Sequence, residues 1–371
     1  MARIRAFRAL RPCPDDVQTL AFRPGDLAHR ITEGTLIEDE APGIFLYRLI
    51  RDGRAQVGIA CVVCVDEYRR GVVRRHELTR LTREDDQTRQ ALAVGQQLGP
   101  VLLAHRDDPR IEALVEADMA APPLYDYVAL DGVRHTVWRT EHPEPYIEAM
   151  AYHEAIYIAD GHHRSASAVR TADALRAQYP DAPADAPFEH FLAVIFPAST
   201  LTILPYHRLV RELGGLSSDA FLDRVRAVGS LEVGGNPAAV EPGACALYLG
   251  GGWHTLRLSA EEDESDGALG ASDYARVQRH LLDEILGIRD PRSDPRVLCV
   301  AGTCGVGELE ERVDRGDAAL AVAMPATPIE QVLQVADSGA ILPPKSTWFE
   351  PKLERGLLVH RIDGGRARDA S

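Results

Sequence analysis

The sequence predicts an α/β protein of the α+β type, with mixed and largely antiparallel sheets. Strand-like apolar runs face each other across Asp-Gly or Gly-Gly turns in three places, the pattern of antiparallel hairpins. A strand, tight loop and helix unit stands in mid-chain. The chain of 371 residues is 45% apolar and 26% charged, which suits a globular protein of one elaborate domain or two that needs no disulfide or metal to fold.

In chain order, the first hairpin joins the β-rich runs 43–50 and 55–65 across Arg51-Asp-Gly-Arg54. Cys61 and Cys64 have zinc-ligand spacing, but no second CxxC follows, so they read as buried strand cysteines. The six cysteines are too scattered for a disulfide scaffold in a chain of this length. Runs 127–130 and 133–138 flank Asp131-Gly132 as a second hairpin, and 145–152 is a short helix. A compact strand at 155–159 enters Asp160-Gly-His-His-Arg164, and from Ser165 the apolar period is helical until Pro180 stops it. Residues 181–187 read as a solvated connection; 190–196 and 201–204 read as strands, the second ending at Pro205-Tyr-His-Arg208. Leu213-Gly-Gly-Leu216 breaks the pattern before an amphipathic helix at 218–228. The expected organisation is therefore an N-terminal α/β region, 1–213, containing the mid-chain loop, and a C-terminal α/β region, 214–363, with a flexible tail at 364–371. The third hairpin joins 244–249 to 253–258 across Gly250-Gly-Gly252, and 261–266 is an acidic turn. Beyond it, 274–286, 306–314 and 328–336 read as helices, 318–324 and 357–361 as strands.

Charge narrows the partners. Forty-one basic against 56 acidic residues leave a net charge of −15, and such a field repels nucleic acid and anionic lipid alike. The best basic cluster, Arg69, Arg70, Arg74, Arg75 and Arg80, is diluted by Glu67, Glu77, Glu84, Asp85 and Asp86. No apolar run approaches the roughly 20 residues of a membrane span. The expectation is a cytoplasmic protein without nucleic-acid or membrane partners. No Walker A loop, GxGxxG or GxSxG motif is present, and His76-Glu77 lacks the second histidine of HExxH.

Chemistry concentrates in Asp160-Gly-His-His-Arg164. A strand that delivers a glycine, two imidazoles and a guanidinium to the first turn of a helix supplies what an oxyanion needs. Gly161 permits close backbone approach, Ser165 and Ser167 sit at the amide-rich end, and Arg164 offers a planar fork. Asp160 as a helix cap with the histidines filling a polar loop is the competing reading. Lys345, Ser346, Thr347 and Lys352 fall in a stretch bracketed by Pro343, Pro344 and Pro351, a loop suited to close over phosphates, or an ordinary solvated loop anchored by Trp348-Phe349. His207-Arg208 at a strand end reads as a second anion ligand or as a structural pair. Glu77 reads as a surface glutamate, or as the carboxylate that accepts a hydroxyl proton or meets Mg²⁺; Asp160 is the stronger candidate for base or metal ligand.

Asp160-Gly-His-His-Arg164, Leu201-Thr-Ile-Leu-Pro-Tyr-His-Arg-Leu-Val210 and Leu342-Pro-Pro-Lys-Ser-Thr-Trp-Phe-Glu-Pro-Lys352 followed by Gly356-Leu357 together resemble a large prokaryotic family, domain of unknown function ten-fifteen. His76-Glu77 with Thr79, ahead of an acidic stretch and Arg89, resembles a fourth motif of that family. Around its Gly-His-His-Arg the family is similar to the ParB and sulfiredoxin superfamily and to the free-serine kinases within it. The resemblance implies a ParB/sulfiredoxin-like phosphate-binding loop and helix. It further implies phosphoryl transfer from ADP, ATP or pyrophosphate, with Mg²⁺, to a small hydroxyl acceptor such as L-serine. In it Asp160, His162 and Glu77 are catalytic, and Gly161, His163, Arg164, Ser165, His207, Arg208, Lys345, Ser346, Thr347 and Lys352 hold phosphate, the Pro-Pro-Lys-Ser-Thr loop returning to the site. Sulfiredoxin chemistry itself is excluded, because His162 stands where its cysteine is required. One departure matters: Pro12-Cys-Pro-Asp-Asp-Val17 lacks the Tyr-Asp of the family's N-terminal motif. A protein that senses nucleotide or phosphate without turnover, or a degenerate member with a protein-interaction role, is the alternative.

Overall fold

The structure, a computed structural model, describes residues 1–19, 27–258 and 267–363. The acidic turn expected at 261–266, the tail expected at 364–371, and part of the segment that follows Val17 lie outside the described residues. The chain divides into two compact units, one made of Met1–Leu201 with Pro351–Ser371, the other of Thr202–Glu350. Leu213 to Leu216 lies inside the second unit, between a strand and the Ser218–Val228 helix.

The first unit is built on one mixed sheet. Its strands run, edge to edge, Val73–Arg74, Ile156–Asp160, Val101–His105, His190–Pro197, Arg54–Cys64, Phe45–Arg51, Arg134–Arg139 and Tyr125–Val128, with Ile4–Arg5 beside Arg54–Cys64. Only two of these pairings are parallel: Ile156–Asp160 with Val73–Arg74, and His190–Pro197 with Val101–His105. The fold class is therefore mixed and largely antiparallel, as the three hairpins require. The first of them pairs Arg51 with Arg54 across Asp52 and Gly53, which have φ of 49° and 75°. Both turn residues are left-handed, the geometry whose twist matches the strands and which Asp-Gly adopts readily.

Strand alternation gives the sheet two faces. On one, Leu46, Ile59, Cys61, Val63, Val101, Leu103, Ile158, Ala193 and Ile195 form a buried core with Ala168 and Ala172 of the His162–Gln178 helix. Cys61 sits in this core and both cysteines of the pair are free thiols, as strand cysteines. A small four-stranded sheet of Leu36–Glu38, Ala9–Pro12, Val359–Arg361 and Gln96–Gln97 ties the end of the chain into this unit.

The second unit carries an antiparallel six-stranded sheet: Gly229–Val233, Gly252–Leu258, Ala244–Leu249, Leu320–Ala323, Tyr206–Val210 and Val297–Ala301. Phe221, Val225, Val277, Leu281 and Leu282 pack on one face and Leu309 on the other. Two local expectations change. The helix after the mid-chain loop begins at His162 rather than Ser165, because Gly161 absorbs the change of backbone direction. The strand expected to end at Arg208 runs from Tyr206 to Val210, so His207 and Arg208 lie within a paired strand. Pro205 interrupts the preceding strand without ending sheet structure.

Gly58 marks how closely the first sheet's other face is packed: an added Cβ would stand 2.7 Å from Val194 Cγ1 and 2.8 Å from Phe196 Cε1. Gly58→Ala is expected to lower stability by about 1–3 kcal/mol through overpacking, read from the midpoint of urea denaturation. An unchanged midpoint contradicts this packing.

Candidate functional site

The mid-chain loop joins the last residue of the Ile156–Asp160 strand to the first turn of the His162–Gln178 helix. Gly161 caps that helix at φ 103°. A Cβ there would stand 2.9 Å from Arg164 Nε, so glycine serves both the left-handed backbone and the space for the guanidinium that lies over it. Arg164 donates through Nη2 to Asp160 Oδ2 at 2.8 Å and through Nη1 to the Pro100 carbonyl. The other carboxylate oxygen, Asp160 Oδ1, lies 3.6 Å from Lys352 Nζ. Both Arg164 and Arg355 flank Gly99, whose added Cβ would meet Arg164 Nη1 at 3.4 Å and Arg355 Nε at 3.5 Å. Burial, with Arg355 adding to it, lowers the Arg164 pKa from its ordinary value, and the Asp160 carboxylate opposes the shift.

These four side chains line a cavity of about 410 Å³ together with Gln87 and Gln90 of the Leu81–Val94 helix and the apolar Leu98 and Phe191. Three cations face one carboxylate, and no other charged residue lines the cavity among the described residues. The helix meets this cavity through Arg164 in its first turn and through Ser167 and Ala168 in its second. The arrangement suits an anion.

The two histidines of the loop face elsewhere. His162 Nε2 accepts the His76 N–H at 3.4 Å, and the two rings meet edge to face with centroids 4.5 Å apart. His163 Nε2 accepts the Arg80 N–H at 3.0 Å. With Nε2 as acceptor in both, each ring carries its proton on Nδ1. The histidines thus tie residues 76–80, and with them the half-buried Glu77, to the start of the helix. Ser165 is fully buried and donates to the His162 carbonyl at 3.0 Å, which directs its hydroxyl into the helix.

The second unit holds His207, Arg208, Lys345, Ser346 and Thr347. Arg208 is buried and donates to four carbonyls: Tyr206, His207, Pro344 and Lys345, the last two at 2.9 Å each. Its guanidinium also lies over the Tyr274 ring. His207 accepts the Met324 N–H through Nδ1 at 3.1 Å, and burial, with Arg208 adding to it, pushes its pKa down to about 4. Ser346 is buried and donates to the Pro343 carbonyl at 2.6 Å, while its own carbonyl accepts from Thr327. Thr347 is buried beside it, and Lys345 is exposed at φ 58° with Nζ over the Tyr206 ring. Arg208 and Ser346 therefore hold the Pro343–Thr347 loop, and His207 holds the backbone at Met324.

Arg355 is the cation that sequence reasoning missed. A signal for its segment existed in composition: of 41 basic residues only Lys345 and Lys352 are lysines, and they stand seven positions apart. No group of three or more His, Cys, Asp or Glu is positioned to hold a metal ion among the described residues.

The chain belongs to the family described as "Protein of unknown function (DUF1015)", whose model matches residues 9–282. No protein with a curated description matches it. Among solved structures it is similar to a free serine kinase in complex with AMP, at 15% identity and a TM-score of 0.40, over 80% of this chain and 92% of that one. It is similar to SbnI with a C-terminal truncation from Staphylococcus aureus, at 12% identity and a TM-score of 0.43, over 84% and 90%. A conserved hypothetical protein from Pyrococcus furiosus gives 14% identity and a TM-score of 0.38, over 82% and 96%.

The His76–His162 contact has a consequence in acid. Burial lowers the His76 pKa from its ordinary 6.5 to about 4. Between those values the unfolded chain holds a proton that the fold excludes, so stability is complete above about pH 6.5 and falls as pH drops toward 4. Replacing His76 with Phe should reduce the slope of unfolding free energy against pH between 4.5 and 6.5 by up to about 1.4 kcal/mol per pH unit. Urea titrations at a series of pH values measure it; an unchanged slope contradicts the assignment.

Proposed function

We propose that this chain is a phosphate-handling enzyme that transfers a phosphoryl group from ADP, ATP or pyrophosphate to a small hydroxyl acceptor such as L-serine. The observation that carries the reading is the gathering of Arg164, Lys352 and Arg355 around the single carboxylate Asp160, at the start of a long helix. In a chain of net charge −15, a locally positive half-open cavity draws an anion that the rest of the surface repels. Like-charged groups held together are relieved by the negative charge that answers them. The likeness of the Gly-His-His-Arg loop to the phosphate loop of the ParB and sulfiredoxin superfamily belongs to the same reading.

Phosphoryl transfer asks a protein chiefly to position groups and neutralise charge. The acceptor hydroxyl oxygen forms a bond to the terminal phosphorus of the donor. The bond from that phosphorus to the bridging oxygen breaks, and its electron pair leaves with the remaining phosphate or nucleoside phosphate. The hydroxyl proton passes to a carboxylate, and Asp160, the one carboxylate that lines the cavity, is the one proposed for it. Asp160, engaged with two cations, is proposed to orient them; the ammonium of Lys352, a compact charge with three rotatable donors, is proposed to turn from Asp160 to a phosphate oxygen. Mg²⁺ usually takes one or two carboxylates together with substrate phosphates, and Asp160 is the carboxylate of the cavity suited to meet it. When bound it supplies further neutralisation of phosphate charge.

A second reading, in which the same cavity binds phosphate and senses it without turnover, is favoured by the absence of the Tyr-Asp pair from Pro12-Cys-Pro-Asp-Asp-Val17. Incubation with Mg²⁺, L-serine and each of ADP, ATP and pyrophosphate, followed by mass spectrometry for O-phosphoserine, separates the two readings. Product with any donor supports transfer. Binding without product supports sensing, and neither ends the phosphate reading. Arg164→Ala and Lys352→Ala are each expected to weaken pyrophosphate binding about tenfold or more, a loss of about 1.4 kcal/mol. Lys352→Ala should leave the melting temperature nearly unmoved, since its side chain is 40% exposed. Calorimetric titration and thermal melts give both quantities.

A further inference from the structure

The segment that carries Lys352 and Arg355 has no regular secondary structure before Val359, so its position depends on a few contacts. Two backbone amides are held, one on each side of Arg355. The Gly356 N–H donates to the Leu98 carbonyl at 2.8 Å. The Glu354 N–H donates to the Tyr47 hydroxyl oxygen at 3.2 Å. Tyr47 stands on the Phe45–Arg51 strand and is 1% exposed.

Its hydroxyl is itself fixed. Val137 pairs with Tyr47 and His135 with Leu49, so Tyr47 and His135 are diagonal neighbours on one face of the sheet, within reach for aromatic side chains. Tyr47 Oη lies 2.6 Å from His135 Nδ1. Tyr127, directly paired with His135 on the next strand, stacks on the imidazole at 5.2 Å with 15° between the planes. Burial lowers the His135 pKa to about 4, so the ring is neutral. Neutral Nδ1 accepts the Tyr47 O–H, the hydroxyl oxygen stays available to the Glu354 N–H, and donation strengthens that oxygen as an acceptor.

The arrangement is a poor choice for packing alone. His135 Nε2 and Tyr127 Oη are buried without a hydrogen-bond partner among the described residues, a penalty that Phe and Leu at these positions would not incur. We infer that Tyr47, oriented by His135, is a positioning residue: it pins the backbone at Glu354 and so sets where Lys352 and Arg355 stand at the anion cavity. The effect on ligand affinity rests on the phosphate reading above; the pinning does not.

The test is hydrogen–deuterium exchange across 352–358 in the ligand-free full chain, together with pyrophosphate titration. Tyr47→Phe should accelerate exchange at the Glu354 amide about fivefold to tenfold, with the rest of the sheet unchanged, and weaken pyrophosphate binding by about fivefold. His135→Phe, which leaves Tyr47 in place but removes its acceptor, should move both in the same direction. Tyr127→Phe keeps the stacked ring and should leave exchange at Glu354 as it was. Unaltered exchange at Glu354 in Tyr47→Phe overturns the inference. So does acceleration spread evenly over the sheet, or a chain that does not fold, because either outcome assigns Tyr47 to packing. If the wild-type chain binds no pyrophosphate, the phosphate reading fails and the exchange pattern alone decides the pinning.

Discussion

One carboxylate held between two cations organises the mid-chain loop. Asp160 ends a strand, Arg164 stands in the first turn of the next helix, and their contact at 2.8 Å, four residues apart, bridges the glycine at which the backbone turns. Everything near it follows from accommodating that guanidinium. Gly161 lacks a side chain because Arg164 lies over it, Gly99 leaves room for Arg164 and Arg355 together, and the Pro100 carbonyl takes a further N–H. Lys352 completes the group from a segment nearly two hundred residues away in sequence. A half-buried pair whose burial costs offset its attraction contributes little to stability by itself. Its importance lies in direction: it aims planar N–H groups along a cavity wall.

The histidines illustrate how a motif divides its labour. An imidazole beside an oxyanion is usually read as a donor to it, yet His162 and His163 accept backbone N–H groups from residues 76 and 80. They join two loops that sequence places more than eighty residues apart. The gain is a fixed relation between the 76–80 loop and the helix start, obtained with rings whose Nε2 accepts a backbone N–H, which a doubly protonated ring has no lone pair to do.

Local structure was legible wherever turn chemistry or period dictates it. Asp52-Gly53 gave its hairpin away because few residues tolerate two left-handed positions in succession, and Ser218–Val228 showed its apolar stripe. The loop at 160–164 was legible as a strand-to-helix junction rich in polar side chains. Direction was not. Residue types at a strand end do not reveal whether the strand continues, so His207-Arg208 read equally as an anion ligand or as a structural pair; Arg208 is buried and donates to four carbonyls, two of them more than a hundred residues distant. Ser165 read as a phosphate ligand at the helix end, and the helix, starting three residues earlier at His162, turns its hydroxyl inward. Arg355 escaped notice because its role depends on where a coil segment is pinned, and the pins, Tyr47 and Leu98, are long-range.

The central claim is that the cavity bounded by Asp160, Arg164, Lys352 and Arg355 binds an oxyanion. Diffraction from crystals soaked in phosphate or sulfate at low millimolar concentration tests it most directly. The account predicts tetrahedral density within about 3 Å of at least two of the three cationic side chains, with Lys352 drawn away from Asp160. An empty cavity under saturating anion, or density confined to other surfaces, contradicts it.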